Sequence, residues 1–250
     1  MSQERLWAPW RLAYVAGGET PQRGPDPAPQ WLEGAEPNGL IATLELPPET
    51  ADETRTALTA SLGGFYWKPV QAGLAGETDS DVVERLGEIP KSRILREIYE
   101  LNTPASPHYA AERDGVVIDV ETLKPPRLME PLVVELAGGL AVPLTRSTLQ
   151  IDVIARWKAP VILVASTRLG TINHSLLSIE ALKTRQIPIL GIAFCGDENA
   201  DSERTITDMG KVTRLGRLPR LDPLEPGTLH KAFAQNFNLS AVLGLGASGP

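Results

Sequence analysis

The stretch Pro160-Val161-Ile162-Leu163-Val164-Ala165, continued by Gly170-Thr171-Ile172-Asn173-His174 and by the apolar positions Leu176, Leu177, Ile179, Ala181 and Leu182, decides the fold. Its first part is a β-branched apolar run bounded by small and turn-forming residues, the pattern of a buried strand. Its last part repeats apolar positions at helical spacing, so the whole predicts strand, loop, helix. Backbone N–H groups at a helix start attract an anion, and Gly170 to Asn173 therefore suit a carboxylate or a phosphate.

The same unit recurs on both sides. Pro131-Leu132-Val133-Val134-Glu135 predicts a strand ending in the turn Ala137-Gly138-Gly139, and Leu149 to Trp157 a helix. Downstream, Ile187 to Phe194 predicts a strand and Ser202 to Met209 a weaker helix. Val212 to Leu218 predicts a last short strand, and Gly227 to Phe237 a last helix. Near-continuous apolar strands alternating with helices predict an α/β fold, a doubly wound, mostly parallel sheet covered on both faces. Ligands of such sheets bind beyond the carboxyl ends of the strands, where Glu135, Gly138, Gly139 and Gly170 to Asn173 all fall. Leu40-Ile41-Ala42-Thr43 either adds a first strand or leaves a sheet edge bare.

Six motifs stand in order along the chain. They are Tyr66-Trp67-Lys68-Pro69-Val70-Gln71-Ala72-Gly73, Asp79-Ser80, Ser106-Pro107-His108, Glu135-Leu136-Ala137-Gly138-Gly139 with Val142-Pro143-Leu144, Leu169 to His174, and Gly216 to Leu221. From about residue 59 to 243 this set resembles the dethiobiotin synthetase family. The resemblance implies a sheet of the P-loop NTPase type and an ATP- and Mg2+-dependent ligase of biotin synthesis, which carboxylates 7,8-diaminononanoate with CO2 and closes its ureido ring. It implies that Lys68 is catalytic and neutralises the carbamate and the transferring phosphoryl group. Lys68, Ala72, Gly170, Thr171, Ile172 and Asn173 would bind substrate, the last four across a homodimer interface. Asp79 and Glu135 would hold Mg2+, a hard cation that prefers oxygen ligands. Gly138 and Gly139 would lie along the nucleotide, and Pro219, Arg220 and Leu221 at its adenine edge.

Taken singly, these residues have plainer readings. Lys68 also reads as a solvated lysine, Asp79 and Asn173 as helix caps, and His174 as a packed, hydrogen-bonded histidine. Glu135 ends an apolar run and needs a partner. The chain departs from the family at several points, among them Ala72, where many relatives carry a hydroxyl residue, and Cys195-Gly196-Asp197, where some place an asparagine. No G-x-x-x-x-G-K-[ST] loop occurs, and where it belongs the chain reads Leu44-Glu45-Leu46-Pro47-Pro48-Glu49-Thr50-Ala51-Asp52-Glu53. Two prolines without N–H and four acids oppose a triphosphate. Thr50 to Glu53 matches a capping box, predicting a helix from Ala51 to Leu62. Leu136 stands where backbone would approach phosphate. An inactive homologue that dimerises and binds the diamino acid without ATP is the alternative to an active ligase.

Residues 1–38 read as an extension before an α/β domain of residues 39–250. Arg5 to Val15 resembles the opening of histidine-triad nucleotide hydrolases, whose His-x-His-x-His is absent, and the proline- and glycine-rich stretch 17–37 reads as a linker. A fusion, a misassembled reading frame and a family-specific extension all fit this order. No apolar run is long enough for a bilayer and no charged-then-apolar signal pattern is seen, so a cytoplasmic chain without membrane contact is expected. The net charge of -7 argues against nucleic acid. A single cysteine, Cys195, excludes an internal disulfide and packs beside the Ile192 strand.

Overall fold

Strand β7 (Val161–Ser166) is buried along its whole length. Ile162 and Val164 join one core cluster, and Val161, Leu163 and Ala165 join another, as side chains alternating across a covered sheet must. Strand β8 (Ile189–Cys195) splits the same way, with Ala193 and Cys195 on the first side and Ile192 and Phe194 on the second. This two-sided burial is why both runs carry almost no polar residues.

The computed structural model describes residues 40–46 and 51–238, with side chains from Asp52 onward. The extension 1–38, its histidine-triad-like stretch, residues 47–50 and Thr50 of the expected capping box lie outside the described residues. Strand β1 (Leu40–Leu46) leads to helix α1 (Ala51–Leu62) and then to β2 (Phe65–Trp67) and β3 (Val70–Ala72). Helix α2 (Asp79–Gly87), strands β4 (Ile94–Leu95) and β5 (Tyr99–Leu101), and helix α3 (Pro107–Asp114) follow. Strand β6 (Leu132–Glu135) and helix α4 (Gln150–Trp157) precede β7, which feeds helix α5 (Thr171–Thr184). After β8 come helix α6 (Ala200–Gly210), strand β9 (Arg214–Leu218) and helix α7 (Pro226–Asn236).

Seven strands form one sheet in the order β4-β2-β6-β1-β7-β8-β9, every pair parallel. The open question over Leu40 to Thr43 resolves in favour of a strand: β1 pairs Leu40 to Thr43 with β6 and Ala42 to Leu46 with β7. Residues of α1, α2 and α7 cover one face together with Val133, and residues of α4, α5 and α6 cover the other. Each fully buried Leu, Ile or Phe in these layers contributes about 1.5–3 kcal/mol. Strands β3 and β5 form a separate two-stranded parallel sheet beside α3. Among the described residues no helix is long and apolar enough to cross a membrane.

Parallel pairing puts every carboxyl end at one rim. Lys68 follows β2, Glu135 ends β6, Thr167 follows β7, Gly196 follows β8 and Pro219 follows β9. Strand β1, at the centre of the order, ends at the same rim with Leu46.

Candidate active site

Glu135 lies on the face of β6 that α1 and α2 cover, the face it shares with Val133, and its side chain has no exposure to solvent. A carboxylate so placed requires charged partners. It has two: Lys68 Nζ donates to Oε1 at 2.6 Å, and Arg55 Nε lies 2.5 Å from Oε2, which also accepts from the Tyr66 hydroxyl. Asp79, the first residue of α2, binds the same two cations. Its Oδ2 accepts from Lys68 Nζ at 2.6 Å and its Oδ1 from Arg55 Nη2 at 2.6 Å. Arg55 Nη1 reaches Asp52, one helical turn back, at 2.7 Å.

Three of the residues singled out in the sequence therefore meet at one point, and Arg55 is a fourth that the sequence reading missed. The signal was present: Arg55, Leu58 and Leu62 recur at helical spacing, and an arginine on an apolar face is buried only with an acidic partner. The lysine is not a solvated one, since its side chain is 8 % exposed. Nor does Asp79 cap its helix. Thr78 is the cap, accepting from the Asp81 N–H while the Asp81 carboxylate accepts from the Thr78 N–H, and Asp79 is left free to turn inward.

The electrostatics follow from this packing. Burial pushes the Lys68 ammonium toward losing its proton, but Glu135 and Asp79 outweigh it and raise the group above its ordinary value. Burial likewise opposes the Asp79 charge, and Lys68 and Arg55 reverse that and hold its carboxyl below the usual range. Burial raises Glu135, with Arg55 and Lys68 pulling against it, and burial beside Glu135 raises the Tyr66 phenol well above its ordinary value.

The two carboxylates do not fit the Mg2+ that the family resemblance implies. All four of their oxygens already face a cationic nitrogen at 2.5–2.6 Å. Mg2+ needs near-octahedral oxygen ligation and keeps several waters, for which the Glu135 side chain, wholly out of solvent, leaves no approach. Among the described residues no group of three or more His, Cys, Asp and Glu side chains is arranged to hold a metal.

Other sequence-singled residues lie along the rim without joining this cluster. Gly138 and Gly139 form the turn after β6, where their carbonyls accept from Gln150 Nε2 at 3.4 and 3.0 Å; this buried amide also bonds both polar groups of Ala137. The Leu136 side chain is buried. It alternates away from Glu135 and packs with Leu140, Ile151 and Ile154. Ala72 ends β3 and packs against the cluster containing Leu101 and Ala110.

Gly170, in the left-handed region at φ 97°, caps α5; Thr171 is buried, Ile172 partly so and Asn173 exposed. His174 is exposed too, in place of the expected packed histidine, because its position in α5 faces away from the sheet. Strands β6 and β1 stand between β2 and β7, so three strand spacings, about 14 Å, separate the Lys68 strand from the one that feeds α5. Pro219, Arg220 and Leu221 line a cleft with Glu53, Cys195, Gly196, Leu218 and Asp222. Cys195 is buried beside the Ile192 strand, as expected, with Sγ 2.8 Å from the Thr54 hydroxyl.

This is the sheet order and rim of the P-loop NTPase class. The MinD cell division protein of Aquifex aeolicus has the same fold, at a TM-score of 0.50 and 17% identity over 85% of this chain and 98% of that one. The MinC:MinD complex from the same organism also matches at a TM-score of 0.50, with 15% identity over 85% of this chain and 97% of that chain. A family model described as an AAA domain matches residues 54–228.

Sequence narrows the class. An ATP-dependent dethiobiotin synthetase BioD of Rhodopseudomonas palustris (strain HaA2) is 62% identical over 187 residues, 75% of this chain and 88% of the relative. Proteins of the same name from Nitrobacter hamburgensis and Agrobacterium fabrum are each 58% identical over the same shares. The chain belongs to the dethiobiotin synthetase family.

Proposed function

We propose that this chain carries out the reaction named in its relatives, the ATP-dependent carboxylation of 7,8-diaminononanoate and closure of its ureido ring to dethiobiotin. The observation behind the reading is the buried Lys68 ammonium, 2.6 Å from both Asp79 and Glu135 at the rim of the sheet. One substrate amine adds to CO2 and loses a proton, giving a carbamate. A carbamate oxygen takes the γ-phosphoryl group of ATP, releasing ADP; the second amine then attacks the carbonyl carbon, and phosphate leaves as the ring closes. Negative charge gathers before closure, and positioned cations stabilise it.

Lys68 suits that task. The carboxylates keep it protonated, and they take two of the three donors an ammonium carries, leaving one for a carbamate or phosphoryl oxygen. The Pro219-to-Leu221 cleft takes the adenine edge of ATP, and Gly138 and Gly139 lie along its phosphates. No step passes through a metal at Asp79 and Glu135. The start of α5, Gly170 to Asn173, receives the substrate carboxylate of a second copy in a cytoplasmic homodimer, which is consistent with its distance from Lys68 within one chain.

The purified full chain, supplied with 7,8-diaminononanoate, bicarbonate, Mg2+ and ATP, is expected to yield dethiobiotin by mass spectrometry. Lys68→Met should lower the rate by about 10²–10³-fold while keeping its circular dichroism. No product from folded wild-type protein would refute the activity. A second reading is favoured by Pro47 and Pro48, which offer no N–H to a phosphate: an inactive homologue that binds the diamino acid without ATP. Calorimetry separates the two, since that homologue gives heat with the diamino acid and none with ATP.

A further inference from the structure

Arg55 has no part in the six motifs, yet it is the more enclosed of the site's two cations, with a side chain 1 % exposed against 8 % for Lys68. It enters from α1 and spans the two carboxylates that the resemblance assigns to a metal, placing Nη2 on Asp79 and Nε on Glu135. Lys68 spans the same two residues through their other oxygens. Two positive groups thus bridge two negative ones, and each of the four oxygens faces a nitrogen.

We propose that Arg55 is the resident cation of the Asp79–Glu135 pair and that, with it in place, this chain holds no divalent ion between these carboxylates. A divalent ion entering there would have to displace a guanidinium anchored at three carboxylates, Asp52, Asp79 and Glu135. Displacement would strip the guanidinium of its contacts to Asp79 and Glu135 on the buried face of α1, and breaking such a buried pair is strongly unfavourable. Ion entry would also leave Lys68 beside a second positive charge, without the oxygens that keep it protonated. Arginine performs this role better than lysine because its planar fork reaches several carboxylates at once.

The inference concerns the site of the proposed reaction but not its turnover, so its test reads occupancy alone. Mn2+ is added to the full chain at neutral pH without nucleotide, and free Mn2+ is counted by electron paramagnetic resonance. Wild-type protein should hold no Mn2+ that Glu135→Gln removes. Arg55→Gln, checked for folding by near-ultraviolet circular dichroism, should gain one equivalent, and the double variant Arg55→Gln/Glu135→Gln should lose it again. Arg55→Lys keeps a cation at the site and should gain none.

One equivalent of Mn2+ on wild-type protein that disappears in Asp79→Asn or Glu135→Gln overturns the proposal, as does a folded Arg55→Gln that gains nothing. Should Arg55→Gln fail to fold, the wild-type and Glu135→Gln titrations decide alone: a Glu135-dependent equivalent overturns the proposal and its absence supports it. Loss of dethiobiotin formation would bear on the proposed function and leave this result untouched.

Discussion

Arg55 Nε and Glu135 Oε2 lie 2.5 Å apart across the interface of α1 and β6, with their side chains 1 % and 0 % exposed. Removing one partner of such a pair leaves an uncompensated charge, which costs about 3–5 kcal/mol. Arg55→Ala should therefore lose that much stability in urea unfolding, and Glu135→Gln should lose less, since the amide keeps one acceptor. In the double variant the losses should not add, because the two residues share one interaction. Strict additivity would mean that the contact contributes nothing.

Lys68 and Tyr66 make the alkaline limb of stability informative. The ammonium is raised above 10.5 and the phenol well above 10.0, so each contributes stability that is complete below its ordinary value. That contribution is lost as pH rises through the folded-state value, because the unfolded chain releases its protons first. In acid the carboxyls oppose each other: Asp79, lowered from 3.8, adds stability above that value, whereas Glu135, raised from 4.5, adds it below. Melting temperature should thus fall as pH passes about 10, and Tyr66→Phe should flatten the fall. A profile unchanged up to pH 12 would contradict the arrangement.

The legible and the hidden parts of the chain differ in the length of their signals. Runs such as Val161 to Ala165 and Ile189 to Phe194 announced buried strands because both faces are covered and every position is apolar. Strands β3 and β5 have three residues each, too few for a period to show, and helix α3 begins with Ser106 and Pro107 rather than with an apolar repeat. The meeting of Lys68, Asp79 and Glu135 followed from the ordered motifs. Arg55 escaped because the acids around it, Asp52 and Glu53, drew attention as a repulsive set. Asp52 is in fact one of its three anchors. Gln150, which fixes the Ala137-to-Gly139 turn, escaped because a lone glutamine has no pattern to find.

Gly191 tests the packing that holds β8 between its neighbours. A Cβ there would lie 2.5 Å from the Thr213 carbonyl oxygen and 2.7 Å from Leu215 Cγ, beside the irregular β8–β9 register. Backbone cannot retreat as a flexible side chain can, so Gly191→Ala should destabilise by about 1–3 kcal/mol. Urea unfolding measures it, and a neutral result would require β9 to shift.

The Pro219-to-Leu221 cleft should be read through KM. Leu221 lines it while packing at the edge of the core that contains Leu218 and Leu229, and it stands at the opposite end of the rim from Lys68. An apolar surface against a nucleobase serves ground state and transition state alike, so its loss raises KM and spares kcat. Leu221→Asp places a carboxylate beside Asp222 and Glu53, the latter already raised by burial and then by Asp52, and a further negative charge makes the cleft less hospitable to a nucleotide. The expected change is about a tenfold rise in KM for ATP, some 1.4 kcal/mol, with kcat held within a factor of about two of wild type. Lys68→Met should do the reverse, lowering kcat with little effect on the nucleotide KM, because in the proposed reaction the lysine acts on charge that develops as the reaction proceeds. Equal effects of both variants on kcat would mean that the cleft and the lysine serve one site rather than the two ends of a rim.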